Sequence, residues 1–101
     1  MKEDSIRRCE TILRHYGIEK QSIKACEEMG ELIQVISKLN FKFSSQNVEH
    51  LKEEIADVMV VLEQLKIHYG ITDNDIDEIV EQKTIRTVNH IRENTDGISV
   101  V

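Results

Sequence analysis

Apolar residues recur along the chain at spacings of three and four, the pattern of helices that bury one face. Over about Asp4 to Tyr16 the repeat is Ile6, Cys9, Ile12 and Leu13, and Gly17 follows as a residue suited to a left-handed cap. A second segment, about Gln21 to Leu39, carries Ile23, Cys26, Met29, Leu32, Ile33, Ile36 and Leu39 as its apolar stripe. The stretch from Asn40 to Asn47 is polar apart from Phe41 and Phe43, and reads as a connection whose last residue caps the next helix. That third helix begins near Val48, bears Leu51, Ile55, Val58, Leu62 and Leu65, and stops at Gly70. Thr72 with Asp75 three residues later marks a fourth N-terminus, and Ile76, Ile79 and Val80 carry that helix toward Arg92. A loosely held tail is expected from about residue 93. The pattern predicts an all-α fold, a four-helix bundle-like arrangement in a single domain over residues 1–101.

Composition narrows this without changing it. A chain of 101 residues, 40% hydrophobic, has room for one core. Absent proline, four glycines and 4% aromatics favour helices over strands. Cys9 and Cys26 fall on apolar-patterned positions without a CxxC spacing, so both read as buried, reduced thiols. The net charge of -6 opposes binding to duplex nucleic acid or an anionic membrane. The opening MKEDSIRRCE lacks a signal-peptide core, and no apolar run approaches the ~20 residues that span a bilayer, so a cytoplasmic location is expected. Val60 and Ile67 lie on the back of the third helix, which calls for a second packing partner and hence a homo-oligomer, dimer or tetramer.

The candidate chemistry is acidic. CEEMGEL in the second helix holds Glu27, Glu28 and Glu31; KEEIADV in the third holds Glu53, Glu54 and Asp57. Residues three apart share a helix face, so Glu28 with Glu31 and Glu54 with Asp57 are paired carboxylates. On a helical wheel Glu28 falls between Leu39 and Val35, and Glu54 between Leu65 and Val61, so one member of each pair points inward. In an antiparallel hairpin, Glu31 before Asn40 and Glu54 after Asn47 differ in height by only ~3 Å at 1.5 Å per residue. Four carboxylates at one level repel unless cations lie between them or some are protonated. Oxygen-only ligands select Mg²⁺, with Mn²⁺ as a substitute, over zinc, and the lack of a Glu-x-x-His pair weighs against a di-iron site. A single such motif is usually an ordinary solvated face; two matched ones with inward members are much less so.

These residues resemble the signature of the MazG-type all-α nucleoside triphosphate pyrophosphatases, ExxE, a variable spacer, then ExxD, here Glu28 and Glu31, then Glu54 and Asp57. The run from Tyr16 to Lys38, YGIEKQSIKACEEMGELIQVISK, is similar to the opening of the small members, and the resemblance reaches from about His15 to Ile91 through Lys83, Arg86 and Thr87. Met29 stands where many members have an aromatic residue, and His90 where they have an arginine. The resemblance implies hydrolysis of a nucleoside triphosphate between its α- and β-phosphates, with Glu28, Glu31, Glu54 and Asp57 as magnesium ligands and Lys38 in phosphate contact.

Other residues carry weaker signals. Glu27 and Glu53 adjoin the ligands; Glu27 is the candidate general base, against a plain exposed helix residue. Lys83, Arg86 and His90 recur on one face of the fourth helix and can hold β- and γ-phosphates, or else pair with Glu78, Glu81 or Glu93. Phe41 and Phe43 either wall in a nucleobase or pin the connection onto the core. His15, His50 and His68 are set apart from the acidic pairs. The alternative to an enzyme is a non-catalytic helical module that binds nucleotide or a partner.

Overall fold

The computed structural model of the chain describes residues 1–94, and the regular elements among them are helices: α1 (Glu3–Tyr16), α2 (Ile18–Phe41), α3 (Ser45–Tyr69) and α4 (Asp73–Glu93). The all-α expectation is met; of the loose tail expected from about residue 93, Glu93 ends α4 and Asn94 follows as its cap, while residues 95–101 lie outside the described residues. The chain divides into two compact units, residues 1–70 and the segment from Ile71 onward.

Gly17 alone separates α1 from α2, so α2 starts three residues earlier than the apolar pattern suggests. Its N–H donates to Leu13 O (2.8 Å) and its carbonyl accepts from Gln21 N (3.1 Å), closing one helix and opening the next. The backbone there is at φ 86° and ψ 160°, not in the left-handed helical region expected for a cap. That combination is open essentially to glycine only. A Cβ at Gly17 meets nothing within 4 Å, so the cost of a side chain is purely conformational. Gly17→Ala is therefore expected to lower stability by about 1–3 kcal/mol, read from the urea midpoint at unchanged m-value. An unshifted midpoint contradicts this account of the joint.

The connection between α2 and α3 is only Lys42 to Ser44. Ser44, not Asn47, is the cap: its Oγ accepts from Asn47 N at 3.0 Å. Asn47 already lies in the first turn, and its side-chain amide donates back to Lys42 O at 3.2 Å. So short a connection folds α3 back along α2 as an antiparallel hairpin, and α1 packs on both. Gly70 ends α3 in the left-handed conformation, as expected.

The seam of the hairpin follows a heptad-like series on each helix. On α2 it runs through Gln21, Ala25, Glu28, Leu32, Val35 and Leu39; on α3 through Leu51, Glu54, Val58, Val61 and Gln64. Ile23, Ile33 and Ile36, assigned to the buried stripe of α2, are instead exposed, and so is Cys26. Ile23 lies two positions off the seam, and Cys26, Ile33 and Ile36 lie one position off it, about 100° around the helix. Ile55 and Leu62 of α3 are displaced in the same way. Each helix thus carries two apolar stripes, one used inside the first unit and one left exposed. Cys9 and Leu13 of α1 complete the small core with Ala25, Val35, Val58 and Val61.

By itself, α4 opens on a capping box: Asp75 N donates to Thr72 Oγ1 (3.1 Å) and Thr72 N to Asp75 Oδ2 (2.9 Å). These bonds hold the Asp75 carboxyl below its usual range. Its apolar residues Ile76, Ile79, Val80, Ile85, Val88 and Ile91 are exposed. Among the described residues no helix is long and apolar enough to cross a membrane.

Candidate metal centre

Two seam positions that would ordinarily hold leucine or valine hold glutamate, and the site grows from that substitution. Glu28 is 6% exposed between Ala25 and Leu32 of α2; Glu54 is half-buried between Leu51 and Val58 of α3. Because the hairpin is antiparallel, the two meet across it. Glu28, Glu54 and Asp57 each offer a carboxylate oxygen, and the three oxygens lie within 4.8 Å of one another. Glu31, the fourth acid, is exposed beside them, and its charge bears on Glu54. The inward and flanking roles read from the helical wheel are those observed: Glu28 and Glu54 enclosed, Glu31 and Asp57 at the edge.

Charge balance at the cluster is incomplete. Lys24 Nζ reaches Glu28 Oε1 at 3.1 Å, and this bond raises the lysine pKa. Glu28 Oε2 and Glu54 Oε2 are both enclosed and have no hydrogen-bond partner. A buried carboxylate oxygen without donor or cation is costly, so an orphaned pair on facing helices is what a bound cation would relieve. Burial, and then the carboxylates of Glu31, Asp57 and Glu28, push Glu54 above the usual carboxylate range. The donor set, all carboxylate oxygen, fits a hard divalent ion such as Mg²⁺ or Mn²⁺.

The cluster divides two grooves. The larger, about 490 Å³, opens on the side of Glu28 and Asp57 and reaches Tyr16, Lys20, Gln21 and Gln64. Glu27 is exposed on its wall. The smaller, about 380 Å³, opens on the side of Glu31 and Glu54 and is bordered by Lys38, His50 and Glu53. Lys38 therefore stands beside the acids. Lys38 is three residues beyond Val35, a buried seam residue, and so shares its side of α2. His50 was set apart from the acids in the sequence, yet it lies one turn before Glu54 on α3 and lines the same groove.

Lys83 and Arg86 are exposed along one stretch of α4 with Ile79 and Gln82, in the second unit. Neither forms an ion pair among the described residues. Phe41 and Phe43 are 93% and 78% exposed, so they do not pin the connection onto the core, and they border neither groove.

Sequence reasoning missed the buried amide pair. Gln64, 1% exposed, accepts at Oε1 from Gln21 Nε2 at 2.7 Å, tying α2 to α3 beyond the carboxylates. The available signal was the seam register, in which Gln21 precedes Ala25 and Glu28 at spacings of four and three. No family model, curated protein or solved structure matches the chain, so the chemistry of the site rests on its own residues.

Proposed function

We propose that the protein is a Mg²⁺-dependent pyrophosphohydrolase that cleaves nucleoside triphosphates to the monophosphate and pyrophosphate, with a MazG-type helical architecture. The observation that carries the reading is the orphaned pair of enclosed oxygens, Glu28 Oε2 and Glu54 Oε2, on facing helices. With Asp57 within 4.8 Å and Glu31 against Glu54, four acids are available to hold divalent cations. Bound there, Mg²⁺ would offset the charge of a triphosphate and make an attacking water more acidic. Cleavage at the α-phosphorus, rather than at the γ, is supported by the resemblance of the ExxE and ExxD motifs.

The chain's own residues do the rest. Glu27, on the wall of the larger groove next to Glu28, accepts the proton of the attacking water. The new bond joins that oxygen to the α-phosphorus, the bond from the α-phosphorus to the bridging oxygen breaks, and pyrophosphate leaves. Lys38 at the smaller groove contacts the phosphate chain. For Lys83 and Arg86, exposed on α4, the phosphate role is supported by their shared helix face and the resemblance. The exposed stripes Ile33, Ile36, Ile55, Met59 and Leu62, with the apolar face of α4, support a homo-oligomer.

The test is incubation with a panel of standard and modified ribo- and deoxyribonucleoside triphosphates and Mg²⁺. Equimolar monophosphate and pyrophosphate are expected from at least one substrate, and chelation should stop their formation. Failure to cleave any member, or release of orthophosphate instead, overturns the proposal. Nucleotide binding without turnover would leave the chain as a non-catalytic binding module.

A further inference from the structure

The larger groove has a chemistry that metal binding does not use. Its volume, about 490 Å³, falls within the size range of small-molecule sites. Apolar walls come from Ile12 and Tyr16 of α1 and Val60 of α3, and Glu28 and Asp57 stand at one end. Gln21 and Gln64, both buried, line it as well. Two amides in a protein seam are unusual occupants: residues of this type are mostly exposed, and a leucine pair would fill the positions without desolvating polar groups.

The bond between the two amides fixes what they offer. Gln21 Nε2 donates to Gln64 Oε1, which consumes one donor on one residue and one acceptor on the other. An acceptor, Gln21 Oε1, and a donor, Gln64 Nε2, are left over from that bond on two residues that line the same groove. Exchanging oxygen and nitrogen on both amides gives the mirror arrangement, still one donor and one acceptor. A flat heterocycle whose edge carries a donor next to an acceptor is the complementary guest. Nucleobases have such an edge, and the Tyr16 ring adds an aromatic surface in the same groove.

We infer that the groove between α1, α2 and α3 seats the nucleoside part of the substrate, and that the Gln21–Gln64 amide pair reads the pairing edge of its base. The inference rests on the proposal that the substrate is a nucleoside triphosphate. It also sets a direction: the base lies toward Gln64, and the phosphate chain passes the carboxylates toward Lys38. Discrimination comes from the amides because a base that leaves a buried donor or acceptor unpaired is penalised more than one that merely fits loosely.

The experiment titrates the full-length protein, in Mg²⁺, with the four common nucleoside 5′-monophosphates and separately with inorganic tripolyphosphate, following the side-chain amide resonances of Gln21 and Gln64. One or two bases should bind in preference to the others and shift both sets of amide resonances, whereas tripolyphosphate should leave them in place. Gln64→Met should weaken the preferred monophosphate by about tenfold, the scale of one lost buried hydrogen bond, and level the differences among bases. Tripolyphosphate affinity should be retained. Should Gln64→Met fail to fold, the double variant Gln21→Met/Gln64→Met, in which neither amide is left unpaired, carries the same expectation. Unmoved amides at saturating monophosphate, or equal losses for monophosphate and tripolyphosphate, overturn the assignment. If triphosphates are hydrolysed while the amides stay silent, the base seat is wrong and the enzyme reading stands. If the amides respond and no triphosphate is hydrolysed, the reverse holds.

Discussion

Replacing Glu54 by Ala is expected to reduce triphosphate hydrolysis by at least about 10²-fold, the scale on which even an outer partner of a bound metal acts. Glu28→Ala should do the same. Both residues place an unpartnered oxygen inside the hairpin seam, and the Lys24 ammonium reaches only the other oxygen of Glu28. Asp57→Ala should follow closely, because its oxygen belongs to the same trio within 4.8 Å. Glu31 is exposed and meets the cluster through Glu54, so Glu31→Ala should lose less. Glu49 makes an exposed pair with Lys52 at 2.8 Å on the same helix, and Glu49→Ala should change the rate little. Steady-state rates with helix content followed by circular dichroism check the series. A Glu49 variant as impaired as the Glu54 variant would mean that the acids matter only for folding.

The second large effect concerns stability in the absence of divalent cations. Glu54 is held above the ordinary carboxylate value of 4.5 in the folded chain, by burial first and by its acidic neighbours next. An acid whose pKa is raised on folding binds more protons in the native than in the unfolded state, so stability falls as pH rises through that interval. Metal-free wild type should therefore lose stability between about pH 4.5 and neutrality relative to Glu54→Gln, which cannot ionise. At neutral pH without metal, Glu54→Gln should melt at the higher temperature, although it removes a proposed ligand. The difference between the two proteins carries the sign, because other carboxylates, Asp75 among them, change with pH in the opposite direction. Melting curves of both proteins in chelator, across this range, provide the check. A Glu54→Gln protein less stable than wild type at neutral pH would show that Glu54 is already compensated in the metal-free fold.

How far the sequence was legible depended on whether the signal was local or belonged to a partner. The Thr72–Asp75 box and the glycine at the end of α3 were readable because each acts within one turn of its own chain. Gly17 was readable as a break, but its ψ of 160° and the immediate start of α2 depend on how α1 packs against the hairpin. The buried stripes were harder. In α2 the series through Ile33 and Ile36 is more apolar than the series through Ala25, Glu28 and Val35, so hydrophobicity alone selects the exposed one. Packing within the first unit uses the smaller, more polar seam. That seam is what places Glu28 and Glu54 inside, Lys38 beside them and Gln21 against Gln64.

The acidic pairs were the legible part of the site, because residues three apart on a helix must share a face wherever the helix packs. Their convergence depended on the hairpin register, which the observed connection, shorter than the sequence suggested, preserved. His50 and Gln64 were invisible for the complementary reason: each is a common surface residue type, and only the partner across the groove gives it meaning.

The central claim is that these carboxylates form a divalent metal centre, and calorimetric titration with Mg²⁺ and with Mn²⁺ tests it most directly. Stoichiometric binding is predicted for the wild type, with heat lost in Glu28→Ala and Glu54→Ala and retained in Glu49→Ala. Equal, weak and non-saturating heats for all four proteins would contradict it.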